Sequence, residues 1–312
     1  MNTEQTKDIL ADILKVGELG SRIVCRPELS APWGMVFPAE NRAFFHIIKK
    51  GTCLFIPKRP SQNPITLHQG DVLFIPKVDN YQIKSSPKAK NRNYREELRR
   101  MERLSINQQS LLTKMICGSY ELTSQMSIPF FSQLPHYIHL TNEDLNRCPE
   151  LGQTVQMLIK EDGDSELGSD LIVARLIDIF LVQIIRFWLT HCKKESSGWL
   201  TATLDLEIGK ALSLIHKFPE RKWSIESLAK EVAISRTKFF TKFTKTVGVS
   251  PIQYLTNWRL ELAKQMLTSS SSSILEIANN VGYESEAAFG RVFKKLELIS
   301  PGKYRKRVAG TT

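Results

Sequence analysis

Apolar positions along this chain follow two periods, one of strands and one of helices. Between about residues 20 and 85 they fall in short runs, Phe44 to Ile48, Cys53 to Ile56, Ile65 to Leu67 and Val72 to Ile75, separated by turn signals at Lys50-Gly51, Lys58 to Pro60 and Gln69-Gly70-Asp71. Many short strands at near-regular spacing predict an antiparallel barrel or double-sheet roll. The pattern lapses over 86–110, a polar, Arg-rich stretch expected to be an exposed or disordered insertion, with partial helix around Glu96 to Leu104. Strand character returns at Lys114 to Leu122, and the roll is expected to close near His139. A helical period then takes over, with one helix from Glu150 to Lys160 and a long one opened by Gly168-Ser169. The apolar run Leu171 to Leu189 raises the question of a membrane span. Arg175, Asp178, Gln183 and Arg186 fall in one stripe of ~140° on its helical wheel, which suits a core or dimer-interface helix instead. Ser196-Ser197-Gly198 is the expected hinge into the last third of the chain. The fold class is therefore α+β: a roll over 1–145, a helical linker or dimerisation region over 146–197, and an all-α region over 203–308.

That last region repeats itself. Phe239, Phe243, Lys245, Ser250, Pro251 and Tyr254 recur fifty positions on as Phe289, Phe293, Lys295, Ser300, Pro301 and Tyr304. An aliphatic-Ala pair precedes each set, Leu228-Ala229 and Ile277-Ala278, so the pattern reads as a helix-turn-helix written twice. A supporting helix runs from Leu204 to Lys217. Ser224 caps a helix to Val232, Ala233-Ile234 turns, and Ser235 caps the next helix. Phe239 and Phe243, four apart, must face inward, which leaves Arg236, Thr237, Phe240 and Thr241 outward, flanked by Lys238, Lys242 and Lys245. Short polar side chains ringed by cations at the start of a second helix suit major-groove entry, because the former reach base edges while the latter hold phosphates.

Pro251 opens a connecting helix to about Leu267, roughly 24 Å long at 1.5 Å per residue. A spacer of that order holds two recognition helices near one DNA turn, about 34 Å, apart. In the second motif Ser273 and Glu276 form a capping box, and Gly282 supplies a turn one residue longer than the first. Ser285 then caps a helix with Glu286, Ala287, Gly290 and Arg291 outward and Lys294 and Lys295 behind. Arg291 is the best candidate for base reading, by a bidentate pair with guanine; a phosphate contact is the alternative.

Charge agrees with this placement. Of a net +11, residues 201–312 supply +8 (18 Lys+Arg against 10 Asp+Glu) and 86–110 supply +4, which leaves −1 elsewhere. Localised basicity points to a polyanion, double-stranded DNA, and not to general solubility. Five cysteines, Cys25, Cys53, Cys117, Cys148 and Cys192, form no C-x-x-C pair and follow no apolar leader, which fits reduced thiols in the cytoplasm. Cys25, Cys53 and Cys117 are candidate redox thiols; small buried hydrophobes are the alternative reading.

The run from SIESLAKEVAISRTKFFTKF through ILEIANNVGYESEAAFGRVFKKLELISPGKYRKR resembles the DNA-binding domain of the AraC family of bacterial transcription regulators. The resemblance implies that Thr237, Phe240, Thr241, Glu286, Ala287, Gly290 and Arg291 face DNA, and that RNA polymerase is a partner of what is expected to be an activator. Thr241 stands where many relatives have Arg, and Phe240 suits either a thymine methyl or packing against the neighbouring helix. In front, LSAPWGMVFP, FFHIIKKGTC and LHQGDVLFIPK are similar to the cupin-type sensor domain of some family members. A barrel of this size can bind a small molecule inside; a small-molecule effector or redox signal and a homodimer are expected, with Trp33, Phe37 and His46 as pocket candidates and core packing as the alternative. Cupin enzymes hold metal with an H-x-H pair, which this chain lacks; His46 and His68 are isolated. Neither metal nor other cofactor is expected. A cupin-type enzyme with a DNA-targeting C-terminal half, and a nonspecific nucleic-acid binder, are the competing functions.

Overall fold

The computed structural model describes residues 20–57, 63–76, 80–103, 112–122, 131, 134–161, 167–191 and 205–309. The turn at 58–60, Cys192, the hinge at 196–198 and Leu204 lie outside the described residues. Two compact units emerge, a front one over 20–122 and 134–191 and a C-terminal one over 205–309.

The front unit carries β1 (Ser21–Cys25), β2 (Glu28–Ser30), β3 (Gly34–Phe37), β4 (Arg42–Lys50), β5 (Cys53–Ile56), β6 (Ile65–Leu67), β7 (Val72–Ile75), β8 (Tyr81–Lys84), β9 (Arg92–Asn93), β10 (Leu112–Glu121) and β11 (Ile138–Leu140). They form two sheets, β1-β10-β4-β7-β11 with β2 also on β10, and β6-β5-β8-β3-β9. Three strands sit where the apolar runs predicted them, at 53–56, 65–67 and 72–75, because each is bounded by chemistry that turns the chain. Gly51 (φ 79°) and Gly70 (φ 91°) adopt the left-handed backbone that those turns need.

The Arg-rich insertion departs from expectation in part. Its described part forms β9 and helix α1 (Tyr94–Glu102), in keeping with the expected partial helix, but Tyr94 and Glu97 are buried instead of exposed. Tyr94 stacks on Phe37 at 4.9 Å, with Phe37 stacked in turn on Tyr81 at 4.8 Å. Glu97, fully buried, is held by Arg100 (2.7 Å) and Arg92 (3.1 Å). Burial raises its pKa and the two guanidiniums lower it; the guanidiniums prevail and the carboxyl lies below its usual range.

Helices α2 (Asn142–Arg147), α3 (Pro149–Glu161) and α4 (Ser169–His191) follow. They belong to the same compact unit as the roll. Tyr120 Oη donates to the Ile177 carbonyl at 2.7 Å, and Phe45 meets Phe180 edge-on at 5.2 Å. Arg175, Asp178 and Arg186 are exposed along α4, together with Leu171, Ile172 and Ile179. Among the described residues no helix is long and apolar enough to cross a membrane.

The C-terminal unit is all helical: α5 (Leu206–Lys217), α6 (Ile225–Glu231), α7 (Arg236–Val247), α8 (Pro251–Ser269), α9 (Ile274–Asn280), α10 (Glu286–Glu297) and α11 (Pro301–Ala309).

Candidate nucleic-acid interface

The fifty-residue repeat is a repeat of packing. Phe239 and Phe243 lie 5.5 Å apart between ring centroids, as do Phe289 and Phe293, and all four rings are buried. Tyr254 meets Phe243 at 5.9 Å and 76°; Tyr304 meets Phe293 at 5.6 Å and 78°. Edge-to-face contacts of this kind add to what burial alone contributes. Ser235 accepts from the Lys238 N–H and Ser285 from the Ala288 N–H, so each recognition helix, α7 and α10, begins on a satisfied cap. The turns repeat as well, with Ile234 N–H donating to Ala229 at 3.1 Å and Tyr283 N–H to Ala278 at 2.8 Å. Those bonds are 49 positions apart while the Ser caps are 50, which places the extra residue of the second turn at Glu284.

Anchoring the aromatic pairs inward fixes what points out. Arg236, Thr237, Lys238, Phe240, Thr241 and Lys245 are exposed on the first motif, and Glu286, Ala287, Arg291, Lys294 and Lys295 on the second; Gly290 is half-buried. Phe240 keeps 41% of its surface in solvent, unusual for an aromatic that only packs. Among the described residues, Lys238, Lys245, Arg291, Lys294 and Lys295 pair with no carboxylate. Arg236 pairs with Glu226 at 2.8 Å.

Lys242 differs from its neighbours. Its ammonium is bound by Asp205 (2.6 Å) and by Glu207, at the N-terminus of α5. Hydrogen bonds to these two carboxylates raise its pKa. For Asp205, burial works against ionisation, but the hydrogen bonds from Lys242 and from the Ile208 and Glu207 N–H groups outweigh it and keep the carboxyl low. Lys242 was expected to hold phosphate; its partners in the structure are carboxylates of the supporting helix.

In the front unit, Trp33, Phe37 and His46 are fully buried in the aromatic core. The Trp33 Nε1 has no hydrogen-bond partner among the described residues. His46 is committed on both nitrogens, Nδ1 to Cys117 Sγ at 3.1 Å and Nε2 to Tyr81 Oη at 2.8 Å, and burial lowers its pKa to about 3. Cys25 and Cys117 are antiparallel partners on β1 and β10, and Cys117 and His46 on β10 and β4, so the three side chains form one row across the sheet. Sequence reasoning had the residues but not the row, since register is invisible without pairing. Burial first, and the Asp71 carboxylate second, push the Cys53 thiol up to about 12, which makes it inert at neutral pH.

A cupin family model matches residues 8–190 and a helix-turn-helix domain model matches 228–307. The HTH-type transcriptional regulator AlkR of Acinetobacter baylyi is 30% identical, over 88% of this chain and 91% of that protein. An AraC-like transcription regulator of Streptomyces lividans is 28% identical over 96% of this chain and 98% of its own. Among solved structures, the DNA-binding domain of AdpA in complex with a target DNA is 25% identical with a TM-score of 0.32, covering 33% of this chain and 92% of that one.

Proposed function

The chain belongs to the AraC family of DNA-binding transcription regulators and is not an enzyme, and from that premise we propose how it reads DNA and what it senses. Helices α7 and α10 enter successive major grooves of one duplex. Thr237, Phe240 and Thr241 read bases in one box, Ala287, Gly290 and Arg291 in the other. Lys238, Lys245, Lys294 and Lys295 hold phosphates. The observation that carries this is the in-phase repeat, which buries one aromatic pair in each motif and leaves a cation-flanked face opposite it.

By family resemblance the protein is an activator that acts in the cytoplasm through RNA polymerase. A homodimer is supported by the exposed Leu171, Ile172 and Ile179 of α4. For the signal, the row Cys25–Cys117–His46 supports a thiol sensor. Antiparallel partners stand about 4.5–5.5 Å apart at Cα, inside the roughly 4.4–6.8 Å that a disulfide spans. A hydroperoxide would transfer oxygen to the half-exposed Cys25 thiol, giving a sulfenic acid and an alcohol or water. Attack by Cys117 sulfur would then form the S–S bond, with the Cys117 proton passing to the departing hydroxide, which leaves as water. A small-molecule effector is the second reading, and it rests on the orphaned Trp33 Nε1.

Arg291→Ala tests the DNA reading. Specific binding should weaken by about 1–3 kcal/mol and preference relax at one base position of a point-mutated operator panel. Scrambled competitor should bind at least ~10³-fold more weakly than operator; equal binding would leave a nonspecific nucleic-acid binder.

A further inference from the structure

The two motifs are joined by more than the α8 rod. Arg259, on that helix, donates Nε–H to the Pro219 carbonyl at 2.7 Å and Nη2–H to the Arg221 carbonyl at 2.9 Å. Both acceptors lie in the loop between α5 and α6, so the guanidinium fork ties α8 to the base of the first motif. The same guanidinium sits 5.5 Å from the centre of the Tyr283 ring, in the turn of the second motif. Tyr283 in turn meets Phe289 of the recognition helix at 5.5 Å.

Two departures from the repeat serve this contact. Where the first turn has Ala233, the second has Gly282, and a Cβ there would stand 2.7 Å from the Glu220 backbone and 2.5 Å from Arg259 Nη2. Only glycine lets the second turn approach the first motif's loop so closely. The second turn also carries the extra Glu284, whose carboxylate pairs with Lys222 of that loop. The loop is itself braced, with Trp223 Nε1–H donating to the Phe218 carbonyl at 2.9 Å and the Arg221 guanidinium 4.2 Å over the Trp223 ring.

We infer that Arg259 is a positioning residue that locks the separation and phase of the two recognition helices, so the protein reads the spacing between its two DNA boxes as well as their sequence. The inference rests on the proposal that both motifs bind DNA. Two linked modules gain affinity only where geometry lets both engage, and a change of one base pair moves a box by about 3.4 Å and turns it by roughly 35°. A locked pair of helices cannot follow that displacement; an unlocked pair can.

The test uses the full-length protein and a set of duplexes whose two boxes are separated by the natural spacing or by one base pair more or less, together with duplexes that keep one box. Wild type should prefer the natural spacing by at least ~10-fold, and Arg259→Lys, which keeps charge but loses the planar fork, should lower that preference several-fold while single-box affinity stays within ~2-fold. Arg259→Lys that is folded by circular dichroism and retains full spacing preference would overturn the inference. Should that variant not fold, Lys222→Glu decides: it should erode spacing preference, and adding Glu284→Lys should restore it. An unchanged preference in Lys222→Glu, or no recovery in the double variant, would also overturn the inference. A wild type that ignores loss of either box would instead sink the two-motif reading beneath it.

Discussion

Lys242 and Lys295 are alike in sequence and opposite in surroundings, which makes them a test of where phosphate is held. Lys295 stands exposed behind α10 with no carboxylate on it among the described residues. A lysine that neutralises one phosphate adds about 0.9 to the slope of log K against log salt. Lys295→Ala should therefore reduce that slope by about 0.9. Because about 50 to about 200 mM salt is a fourfold change, the wild-type advantage over the variant should shrink by roughly 3.5-fold across that range. The loss should be the same on operator and on scrambled DNA. Lys242, in contrast, already has Asp205 and Glu207. Lys242→Ala should leave the slope within about 0.3 of wild type and cost about 1 kcal/mol of stability instead. The cost stays small because the two abandoned carboxylates remain at the N-terminus of α5, where the helix dipole favours them. Anisotropy titrations at three salt concentrations, with urea unfolding alongside, measure both quantities. A slope lowered by about 0.9 in Lys242→Ala would mean that the lysine leaves its carboxylates for DNA, and the argument from pairing would fail.

The front unit should lose stability as acidity rises through His46. Burial holds its folded pKa at about 3 against an ordinary value of 6.5. Below about 6.5 the unfolded chain binds a proton that the folded chain refuses, so stability is complete above that pH and falls by about 1.4 kcal/mol per unit below it, or about 2 kcal/mol by pH ~5. His46→Gln should flatten this arm of the stability curve, and an unaltered curve would refute the assignment. Treatment with hydroperoxide should produce a Cys25–Cys117 cross-link, seen by peptide mass mapping and reversed by dithiothreitol. Sulfonic acid at Cys25 with Cys117 still reduced would exclude the thiol-pair sensor.

How much was legible in advance depended on how far apart in sequence the partners lie. The strands at 53–56 and 65–67 and the capped recognition helices are set by residues within a few positions of one another, and they were found where the pattern put them. The helix within the insertion was expected, but its packing was not, because that comes from distant partners. Its apolar positions are few, and Tyr94 becomes a core residue only when Phe37 and Tyr81 stand beneath it. Glu97 is different, since Arg92 and Arg100, which hold it, lie only five and three positions away. The pairing of Lys242 was not legible either, since its carboxylates lie on a different helix, 35 and 37 positions upstream. The candidate reading face was easier, because inward phenylalanines four apart determine the outward residues by helix geometry alone.

Gly290 separates folding from DNA contact most sharply. It lies inside α10, where glycine costs about 1 kcal/mol relative to alanine. Its fifty-residue counterpart is Phe240, so the helix itself has no need of glycine at this register. A Cβ built at Gly290 would meet nothing within 4 Å, unlike one at Gly282, so no neighbour in the protein excludes a side chain. What the missing side chain leaves is room on the outer face, one residue before Arg291. Close approach of a DNA edge to the helix backbone would account for accepting the cost. Gly290→Ala should accordingly raise the unfolding midpoint of the C-terminal unit by a few degrees, since about 1 kcal/mol moves a domain of this size by roughly 4–8 °C. The same variant should bind operator at least ~5-fold more weakly, because the added methyl holds α10 away from the groove. Stabilisation together with undiminished operator affinity would remove Gly290 from the interface and, with it, the docking of α10 by this face.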